Sequence, residues 1–499
     1  MTLCNFCSGQ KLRLTFKLCL ISFTTLILGA CGSSDSENGT GLVKFYNASP
    51  TSPSVYLTLD EDLDSDEDDE FEQTFLSIGY GNALKNTEVP EGEYFYELGW
   101  KDGDSSERSE LEIITESNLQ IRNESITLVV LSNDIKTPEV KLFDIGIIDD
   151  ESDVDNDLFN LRFLNVSPEY TQIDLYMSKS DETFNQAVLM GTLDYLSLTD
   201  NVKIKEDDYI FYITAAGGSD ILFQSTEVSY QYNGQYIITV RPNDGVSSTP
   251  FVIDNIGNSF VATYQSVDAE ARFRIYNGLQ ENQLMPAYTG AIDVNVVNGS
   301  TTTTADIQDL SLGQFSAAFV VDQGDYSLSV YNAEDDVNLV SSQLFSLPEN
   351  TDRTVFFYMI EQDIDDDGDG EIEETEAKLV SKIVDNSTRE RIYEHEVKML
   401  NLAYNADITS VTFSFVKSDE VIETATLRRS TSIGEAQALV LVNNTYNVYA
   451  IGKVDGVDYI LANQLLTLDE TSGELFLLLE TDVSSATGYR MRFVPQLAE

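Results

Sequence analysis

The feature that most constrains this fold is an internal repeat, in which three sequence landmarks recur four times in the same order. The first landmark is an opening strand that ends in Asn, and its copies read KFYN (44–47), RFLN (162–165), RIYN (274–277) and KMLN (398–401). The second is a Tyr-containing strand after a turn (EGEYFYEL, EDDYIFYI, QGDYSLSV and NNTYNVYA), and the third is a strongly apolar strand (SITLVVLSND, YIITVRPND, TVFFYMIEQD and LFLLLETD). Such a repeat predicts four copies of one folded module.

Hydrophobic patterning inside each copy predicts β-structure. Apolar residues alternate with polar ones, as Val55, Leu57 and Leu59 do, and turn clusters such as Asn233-Gly234 separate the segments. Alternation of this kind is typical of antiparallel sheets with one packed and one wet face. A module of about 115 residues is long enough to bury its own core. The sequence therefore predicts an all-β protein of four tandem antiparallel Ig-like β-sandwich modules, joined by short acidic linkers.

The landmarks also predict the domain boundaries. These are a signal peptide at 1–30, a flexible tether at 31–41, module 1 at 42–148, module 2 at 158–266, module 3 at 269–385 and module 4 at 392–495. Two acidic stretches, 60–72 within module 1 and 149–157 after it, are expected to be solvated loops. The alternative is that they bind divalent cations weakly.

One Tyr occupies the same place in the second landmark of every module, as Tyr94, Tyr209, Tyr326 and Tyr446. A Tyr directly after a turn is typical of a tyrosine corner, where the phenol packs at the sandwich edge and its hydroxyl bonds to backbone. We therefore expect structural tyrosines, the alternative being contacts to a ligand.

The N-terminus indicates export and lipidation. Basic residues precede an apolar run from Leu18 to Ala30, and thirteen helical residues rise only about 20 Å, too short to cross a bilayer. The run ends in Leu28-Gly29-Ala30-Cys31, which resembles the bacterial lipobox. The other three cysteines leave with the signal, so Cys31 is the predicted lipidation site and mature N-terminus. Gly32 after it favours the outer membrane, at its periplasmic face or the cell surface.

Segments of the first two modules, NASPTSPSVYLTLD (47–60) and NVSPEYTQIDLYMS (165–178), resemble the bacterial family named domain of unknown function 4397. Module 2 matches the family pattern best, at Arg162, Asn165, Ser167, Pro168, Ile173, Asp174, Leu175 and Tyr176. Module 1 has Tyr56 where the family has Asp, and the likeness is weak in modules 3 and 4. The resemblance implies exported β-modules and no known activity.

The stretch DDDGDGEIEETE (365–376) has the spacing of a calcium-binding loop. Its candidate ligands are Asp365, Asp367, Asp369, Glu371, Glu373 and Glu376, with Gly370 at the sharp turn. The flanking residues resemble strands rather than EF-hand helices, which places the loop in a hairpin of module 3. We expect weak calcium binding, in the range of about 0.1–1 mM, that stiffens this hairpin.

The net charge and the absence of catalytic and zinc-binding motifs limit the functions that this chain is expected to have. With 85 acidic and 29 basic residues the net charge is −56, which excludes nucleic acid as a partner. No nucleophile motif, phosphate loop or zinc-binding His pair is present, so no enzyme is predicted. The single His395 is expected at the surface, and the single Trp100 in ordinary packing.

The sequence thus predicts a lipid-anchored envelope or cell-surface protein. Its modules would form a structural, adhesive or ligand-presenting array, partnered by the membrane through the lipid and by an extracellular polymer or envelope protein. The alternative is a surface lipoprotein that binds a glycan or polymer.

Overall fold

The computed structural model describes residues 39–62, 71–101, 107–299, 302–365, 372 and 374–497. These residues form 36 β-strands, one five-residue α-helix and two 3₁₀ helices, at Arg108–Glu110 and Phe184–Gln186. The strands form several sheets that lie in pairs along the chain. The predicted all-β class of tandem β-sandwich modules is therefore confirmed.

Module 1 contains nine strands in two sheets. They are β1 (Thr40–Asn47), β2 (Val55–Asp60), β3 (Glu72–Thr74), β4 (Asn82–Ala83), β5 (Thr87–Pro90), β6 (Gly92–Lys101), β7 (Leu111–Ile121), β8 (Ser125–Ser132) and β9 (Glu139–Gly146). One sheet has the order β4-β1-β8-β9 with β5 also on β1, and the other has the order β3-β2-β6-β7.

Module 2 follows the short helix α1 (Glu151–Asp155) and contains eleven strands. They are β10 (Leu158–Asn165), β11 (Gln172–Lys179), β12 (Val188–Asp194), β13 (Ser197–Leu198), β14 (Val202–Lys205), β15 (Asp207–Ala215), β16 (Ile221–Gln224), β17 (Val228–Tyr230), β18 (Gln235–Pro242), β19 (Phe251–Ile256) and β20 (Val261–Tyr264). The sheets are β13-β10-β18-β19-β20 with β14 on β10, and β12-β11-β15-β16 with β17 on β15.

Module 3 contains eight strands, in sheets ordered β24-β21-β27-β28 and β23-β22-β25-β26. They are β21 (Glu270–Asn277), β22 (Ala291–Asn298), β23 (Thr302–Ser311), β24 (Phe319–Asp322), β25 (Gly324–Asn332), β26 (Asn338–Leu347), β27 (Asp352–Ile364) and β28 (Glu374–Asp385).

Module 4 also contains eight strands, in sheets ordered β32-β29-β35-β36 and β31-β30-β33-β34. They are β29 (Glu394–Asn401), β30 (Ser410–Val416), β31 (Leu427–Ser432), β32 (Ala436–Val442), β33 (Thr445–Val454), β34 (Val457–Thr467), β35 (Leu475–Thr481) and β36 (Tyr489–Pro495).

The four modules share one arrangement of the landmarks. In each, the opening strand runs parallel to the third-landmark strand, in the ladders β1·β8, β10·β18, β21·β27 and β29·β35. The other ladders between named strands are antiparallel. We call the sheet that holds this parallel ladder the inner sheet of its module and the other sheet the outer sheet.

Each module buries an apolar core of its own between its inner and outer sheets. In module 1, for example, Phe45 and Val129 of the inner sheet pack with Leu57 and Leu98 of the outer sheet. Separate clusters occupy the corresponding position in modules 2, 3 and 4. The alternation of the sequence selects these residues, because strand side chains point to opposite faces in turn.

Two further apolar clusters join the modules in pairs. The inner sheet of module 1, through Leu128 and Val130, packs on Leu164 and Ile237 of module 2. The inner sheets of modules 3 and 4 meet in the same way. Every residue of β8 is buried as a result. The expectation of a wet face is therefore wrong for the central strands of the inner sheets, which are buried on both faces over most of their length, whereas the outer strands of these sheets, such as β9, keep exposed residues.

The acidic stretch 149–157 differs from the expected solvated loop. It forms α1, with Asp150 as N-cap and Asp153 buried. The Lys203 amino group binds both carboxylates, at 2.6 Å from Asp150 and 2.7 Å from Asp153. A single lysine therefore forms ion pairs with two of these acids. Residues 63–70 of the other stretch lie outside the described residues.

Candidate functional site

The predicted calcium loop is only partly described. Strand β27 ends at Ile364, which pairs with Glu374 at the start of β28, so the segment joins the two strands of a hairpin. Glu376 lies within β28, opposite Gln362, and Asp365 directly follows β27. The remaining candidate ligands, Asp367, Asp369, Glu371 and Glu373, lie outside the described residues. Calcium binding here stays a prediction.

The predicted lipidation site, Cys31, also lies outside the described residues, together with the predicted signal peptide and most of the predicted tether. In the part of the chain that is described, no helix has the length and apolarity needed to span a bilayer.

The four landmark tyrosines share one geometry. Each hydroxyl donates a hydrogen bond to the backbone carbonyl four residues earlier, on Pro90, Lys205, Asp322 and Val442 for Tyr94, Tyr209, Tyr326 and Tyr446, respectively. Each ring is buried in the core of its module. A phenol in this position links the turn to the edge of the sandwich through a hydrogen bond.

The Asn that ends each opening strand is buried, and its side chain forms a hydrogen bond that fixes the turn after the strand. The sequence did not reveal this role. Its side-chain oxygen accepts the N–H two residues later in every module, at 3.1 Å for Asn47, 2.9 Å for Asn165, 3.1 Å for Asn277 and 3.1 Å for Asn401. An Asx turn of this kind redirects the chain after the strand. The recurrence of Asn in the first landmark is therefore structural.

A buried polar cluster lies at the interface between modules 1 and 2. The Tyr46 hydroxyl donates to the Asp254 carboxylate at 2.6 Å, and Arg241 Nε donates to the same carboxylate at 2.8 Å. Arg241 also donates to the Tyr80 hydroxyl at 3.2 Å, and its guanidinium lies 4.7 Å from the centre of that ring. Burial, reinforced by Asp254, raises the pKa of Tyr46 well above its usual value. The phenol is thereby held as a hydrogen-bond donor.

The same chemistry recurs between modules 3 and 4. Tyr276 donates to the Glu480 carboxylate, which also accepts from Arg490 Nε at 3.0 Å. Arg492 donates to the Tyr276 hydroxyl at 3.2 Å and lies 3.7 Å from Glu480. Burial, with Glu480 beside it, raises the pKa of Tyr276. Both interfaces thus contain a tyrosine, a carboxylate and a guanidinium.

The acid and the base exchange places between the two interfaces. In modules 2 and 4, the third residue of the first landmark pairs with a residue of the third-landmark strand. Arg241 and Glu480 are equivalent, because each lies two residues after that paired residue. Asp254 and Arg492 are equivalent too, because each lies on the following strand and pairs there with that same third-landmark residue. The ion pair is therefore kept although the two positions have swapped charge.

The first residue of the four-residue landmark, Lys44 or Arg274, adds a second contact across each interface. Lys44 Nζ donates to the module 2 carbonyls of Gly257 at 2.9 Å and Asn258 at 3.1 Å. Arg274 Nη2 donates to the module 4 carbonyls of Pro495 at 2.6 Å and Gln496 at 2.7 Å. Burial lowers the pKa of Lys44 to about 8.

These contacts explain an alternation in the first landmark. Its third residue is Tyr46 or Tyr276 in modules 1 and 3, and Leu164 or Leu400 in modules 2 and 4. The first and third residues of a strand share a face, and here that face meets the partner module. The pattern Tyr, Leu, Tyr, Leu was the sequence signal for paired modules.

The prediction for His395 is wrong. This side chain is fully buried on β29, and its Nε2 lies 2.9 Å from the Asn443 oxygen. Burial lowers its pKa, so the ring is neutral at ordinary pH. Among the described residues, no three His, Cys, Asp or Glu side chains come together as a metal site.

A groove of about 660 Å³ lies along the edge of module 1. Apolar groups from Phe95, Leu142 and Phe143 line it, with Glu93 and Asp144 among its polar residues. Its polar groups do not form a nucleophile–base pair.

Residues 41–176 match the model of one protein family, described as Domain of unknown function (DUF4397). The matched segment includes module 1 and the first two opening motifs, and it ends in β11. The predicted resemblance to this family is therefore confirmed for this segment. The comparison with curated proteins gave no significant match.

Several solved structures are similar to this chain. The Bacillus anthracis TIE protein is 9% identical, with 90% of this chain and 75% of that chain covered and a TM-score of 0.16. BcpA, the major pilin subunit of Bacillus cereus, is 8% identical, with 64% and 97% covered and a TM-score of 0.14. The pilus adhesin SpaC from Lactobacillus rhamnosus GG is 12% identical, with 88% and 56% covered and a TM-score of 0.16. These values do not define a function for this chain.

Proposed function

We propose that this chain is a structural or adhesive protein of the cell surface, whose building block is a rigid pair of β-sandwich modules. One observation carries the proposal: the inner sheets of modules 1 and 2, and of modules 3 and 4, are buried against each other around a tyrosine–carboxylate–guanidinium cluster. Neighbouring domains move freely unless their interface is large and apolar. Pairs held in this way suit an array that keeps its spacing under load.

Lipid attachment at Cys31 supplies the anchor in this proposal. It is supported by the apolar run that ends in a lipobox-like sequence and by the position of the other three cysteines, which all lie within the predicted signal peptide. Several acyl chains hold a protein stably on a membrane, whereas one chain does not. The polar tether then separates the first module from the bilayer.

Calcium is proposed to stiffen the hairpin β27–β28. The ladder of this hairpin runs from Arg353↔Asp385 to Ile364↔Glu374, and the acidic segment connects the ends of these two strands in sequence. A cation shared by these acids would reduce their repulsion. This contribution is mechanical and separate from the module interfaces.

Fractionation and surface digestion test the proposal. Cells that express the full chain should carry it in the membrane fraction, and external protease should degrade it. Cys31→Ser should release it as soluble protein, whereas the matched control Cys19→Ser, within the signal, should leave it anchored. A Cys31→Ser protein that stays with the membrane would refute lipid attachment, and full protection from external protease would refute surface exposure.

A glycan array with and without EDTA separates the proposal from polymer binding. Discrete sugar binding would favour the alternative, a glycan-binding surface lipoprotein. An array without bound sugars, combined with a calcium effect on melting alone, is the result expected for a structural protein.

A further inference from the structure

Residues 386–393, which connect module 3 to module 4, lie against module 1, and we call this segment the clasp. Arg389 Nη2 donates to the Ser52 carbonyl at 2.7 Å. The Arg389 guanidinium lies 5.3 Å from the centre of the Tyr80 ring, the same ring that Arg241 of module 2 contacts. The clasp therefore contacts the pair formed by modules 1 and 2, although it belongs to the chain of the other pair.

The end of the clasp packs aromatic and aliphatic side chains on module 1. Tyr393 stacks on Trp100, with 5.0 Å between ring centres and 9° between planes. Ile392 and Tyr393 both pack against the core of module 1. Trp100 is 8% exposed. The only tryptophan of the chain is thus part of the contact between the two module pairs.

Module 4 itself also meets module 1. Lys136 Nζ lies 2.8 Å from a Glu470 carboxylate oxygen, and both side chains are about half exposed. A cavity of about 220 Å³ lies between the two modules, with Tyr56 of module 1 and Val442 of module 4 among its lining residues. Atoms that face an empty space lose their packing contacts on that side. Modules 1 and 4 are therefore in contact without being closely packed.

The two pairs meet a second time where the chain passes from module 2 to module 3. Asn350 of module 3 donates through Nδ2 to the side-chain oxygens of Asn243 at 2.7 Å and Gln265 at 2.8 Å. Its Oδ1 accepts the Ser247 N–H at 3.0 Å. A Cβ atom at Gly245 would clash with the Asn350 side chain, so the glycine makes this insertion possible.

The contacts between modules therefore form a closed path. Module 1 packs on module 2, module 2 bonds to module 3, module 3 packs on module 4, and the clasp returns to module 1. A load between the start of module 1 and the end of module 4 acts first on the clasp, because the clasp is the shorter of the two routes between these modules. The longer route through modules 2 and 3 is loaded after the clasp has opened.

The clasp is weaker than the interfaces within the pairs. Buried side-chain nitrogens of Asn386, Arg389 and Arg391 form no hydrogen bond. Within the pairs, the Tyr46 and Tyr276 hydroxyls both bond to a carboxylate. Buried polar atoms without partners lower the stability of a contact, and a half-exposed ion pair adds little to it. We therefore expect the clasp to open at a lower force than a pair interface.

We propose that the clasp is a mechanical release contact, which opens under load before either module pair unfolds and lengthens the molecule while all four modules stay folded. This inference rests on the proposed function, because a release contact serves only a protein that is under load. Release is reversible, since the Tyr393–Trp100 stack and the bond from Arg389 can form again between folded modules.

Pulling single molecules of the full chain by both ends tests the release. An early extension should precede the unfolding of the pairs, should be shorter than the roughly 40 nm that one unfolded module adds, and should reverse when the force is lowered. Arg389→Ala combined with Tyr393→Ala should remove the early extension and leave the later steps. Tyr232→Ala, which truncates an exposed ring of module 2, is the matched control and should change nothing.

Lys136→Glu keeps the test decisive if the double variant does not fold, because it replaces a half-exposed side chain. It places a like charge beside Glu470, so the early extension should occur at a lower force. Lys453→Glu makes the same change of charge in an exposed ion pair within module 4 and should leave that force unchanged.

Trp100 fluorescence measures the closed clasp without load, since no other tryptophan contributes. The original protein should resist quenching by acrylamide. The double variant, in which Arg389 and Tyr393 are both Ala, should be quenched more strongly and emit at longer wavelength, with an unchanged far-UV circular dichroism spectrum.

The release contact would be overturned by a Trp100 that is freely quenched in the original protein or by traces without an early extension. An early extension that both the double variant and Lys136→Glu leave unchanged would also overturn it. These outcomes do not bear on the proposed surface location, which fails separately if fractionation and external digestion do not find the chain at the cell surface.

Discussion

The Tyr46 hydroxyl of module 1 donates a hydrogen bond to the Asp254 carboxylate of module 2, across 208 residues of chain and 2.6 Å of space. Tyr276 and Glu480 have the same relationship between modules 3 and 4. The carboxylate comes from β19 in one pair and from β35 in the other. What recurs is the chemistry of the contact rather than the residue type at a given position.

Tyr46→Phe should lower the free energy of unfolding by about 1–2 kcal/mol, because it removes one hydrogen bond to a buried carboxylate and keeps the ring. Denaturant unfolding measures this change. The control is Tyr232→Phe, in a side chain that is 75% exposed, which should change nothing. Equal effects of the two substitutions would contradict a specific role for Tyr46.

Asp254→Asn should cost more, about 3 kcal/mol, because it weakens the hydrogen bonds from both Tyr46 and Arg241 and leaves Arg241 with Asp244 as its remaining ion-pair partner. Because the acid and the base occupy exchanged positions in module 4, a double variant of module 2 with the two charges exchanged should restore part of the lost stability. Arg241→Glu combined with Asp254→Arg copies the order of Glu480 and Arg492 and should recover part of the loss. A double-mutant cycle measures the recovery. Strict additivity of the two changes would show that the positions do not interact as an ion pair.

Alkaline pH should destabilise the pair interfaces. Burial raises the pKa of Tyr46 and Tyr276, and raises that of Tyr80 to about 12. The folded state therefore holds these protons more tightly than the unfolded state, and its advantage is lost as pH rises above about 10. Tyrosinate absorbance, followed with unfolding free energy, checks this. Titration of every tyrosine near pH 10 in the folded protein would exclude the effect.

Asp365→Ala should remove one calcium site, since Asp365 is the first predicted ligand of the loop. Calorimetric titration with calcium measures the number of sites. Asp419→Ala, an exposed acid of module 4, serves as the control for the general loss of charge. Unchanged calcium binding in Asp365→Ala would place any site elsewhere.

Alternation predicted the strands and their core residues, because a period of two identifies side chains that share a face. It does not identify what covers the second face. The continuous apolar run SITLVVLS in β8 signals burial on both sides, and its partner is module 2. The prediction of one wet face overlooked that signal.

The error at His395 has a similar cause. Its neighbours in sequence are charged, which favours exposure, but Arg389 of the same stretch bonds to Ser52, 337 residues away. Contacts at such separation depend on how modules dock, and the charged residues around His395 do not indicate this docking. The landmark tyrosines, by contrast, bond four residues away, so a local pattern sufficed to suggest their role.

Pulling the full chain from both ends tests the central claim, that a module pair is the mechanical unit. Each pair spans roughly 225 residues, so its unfolding should lengthen the chain by roughly 80 nm in one step. We predict two such steps in each trace. Four separate steps of roughly 40 nm would contradict the account, because each module would then unfold alone.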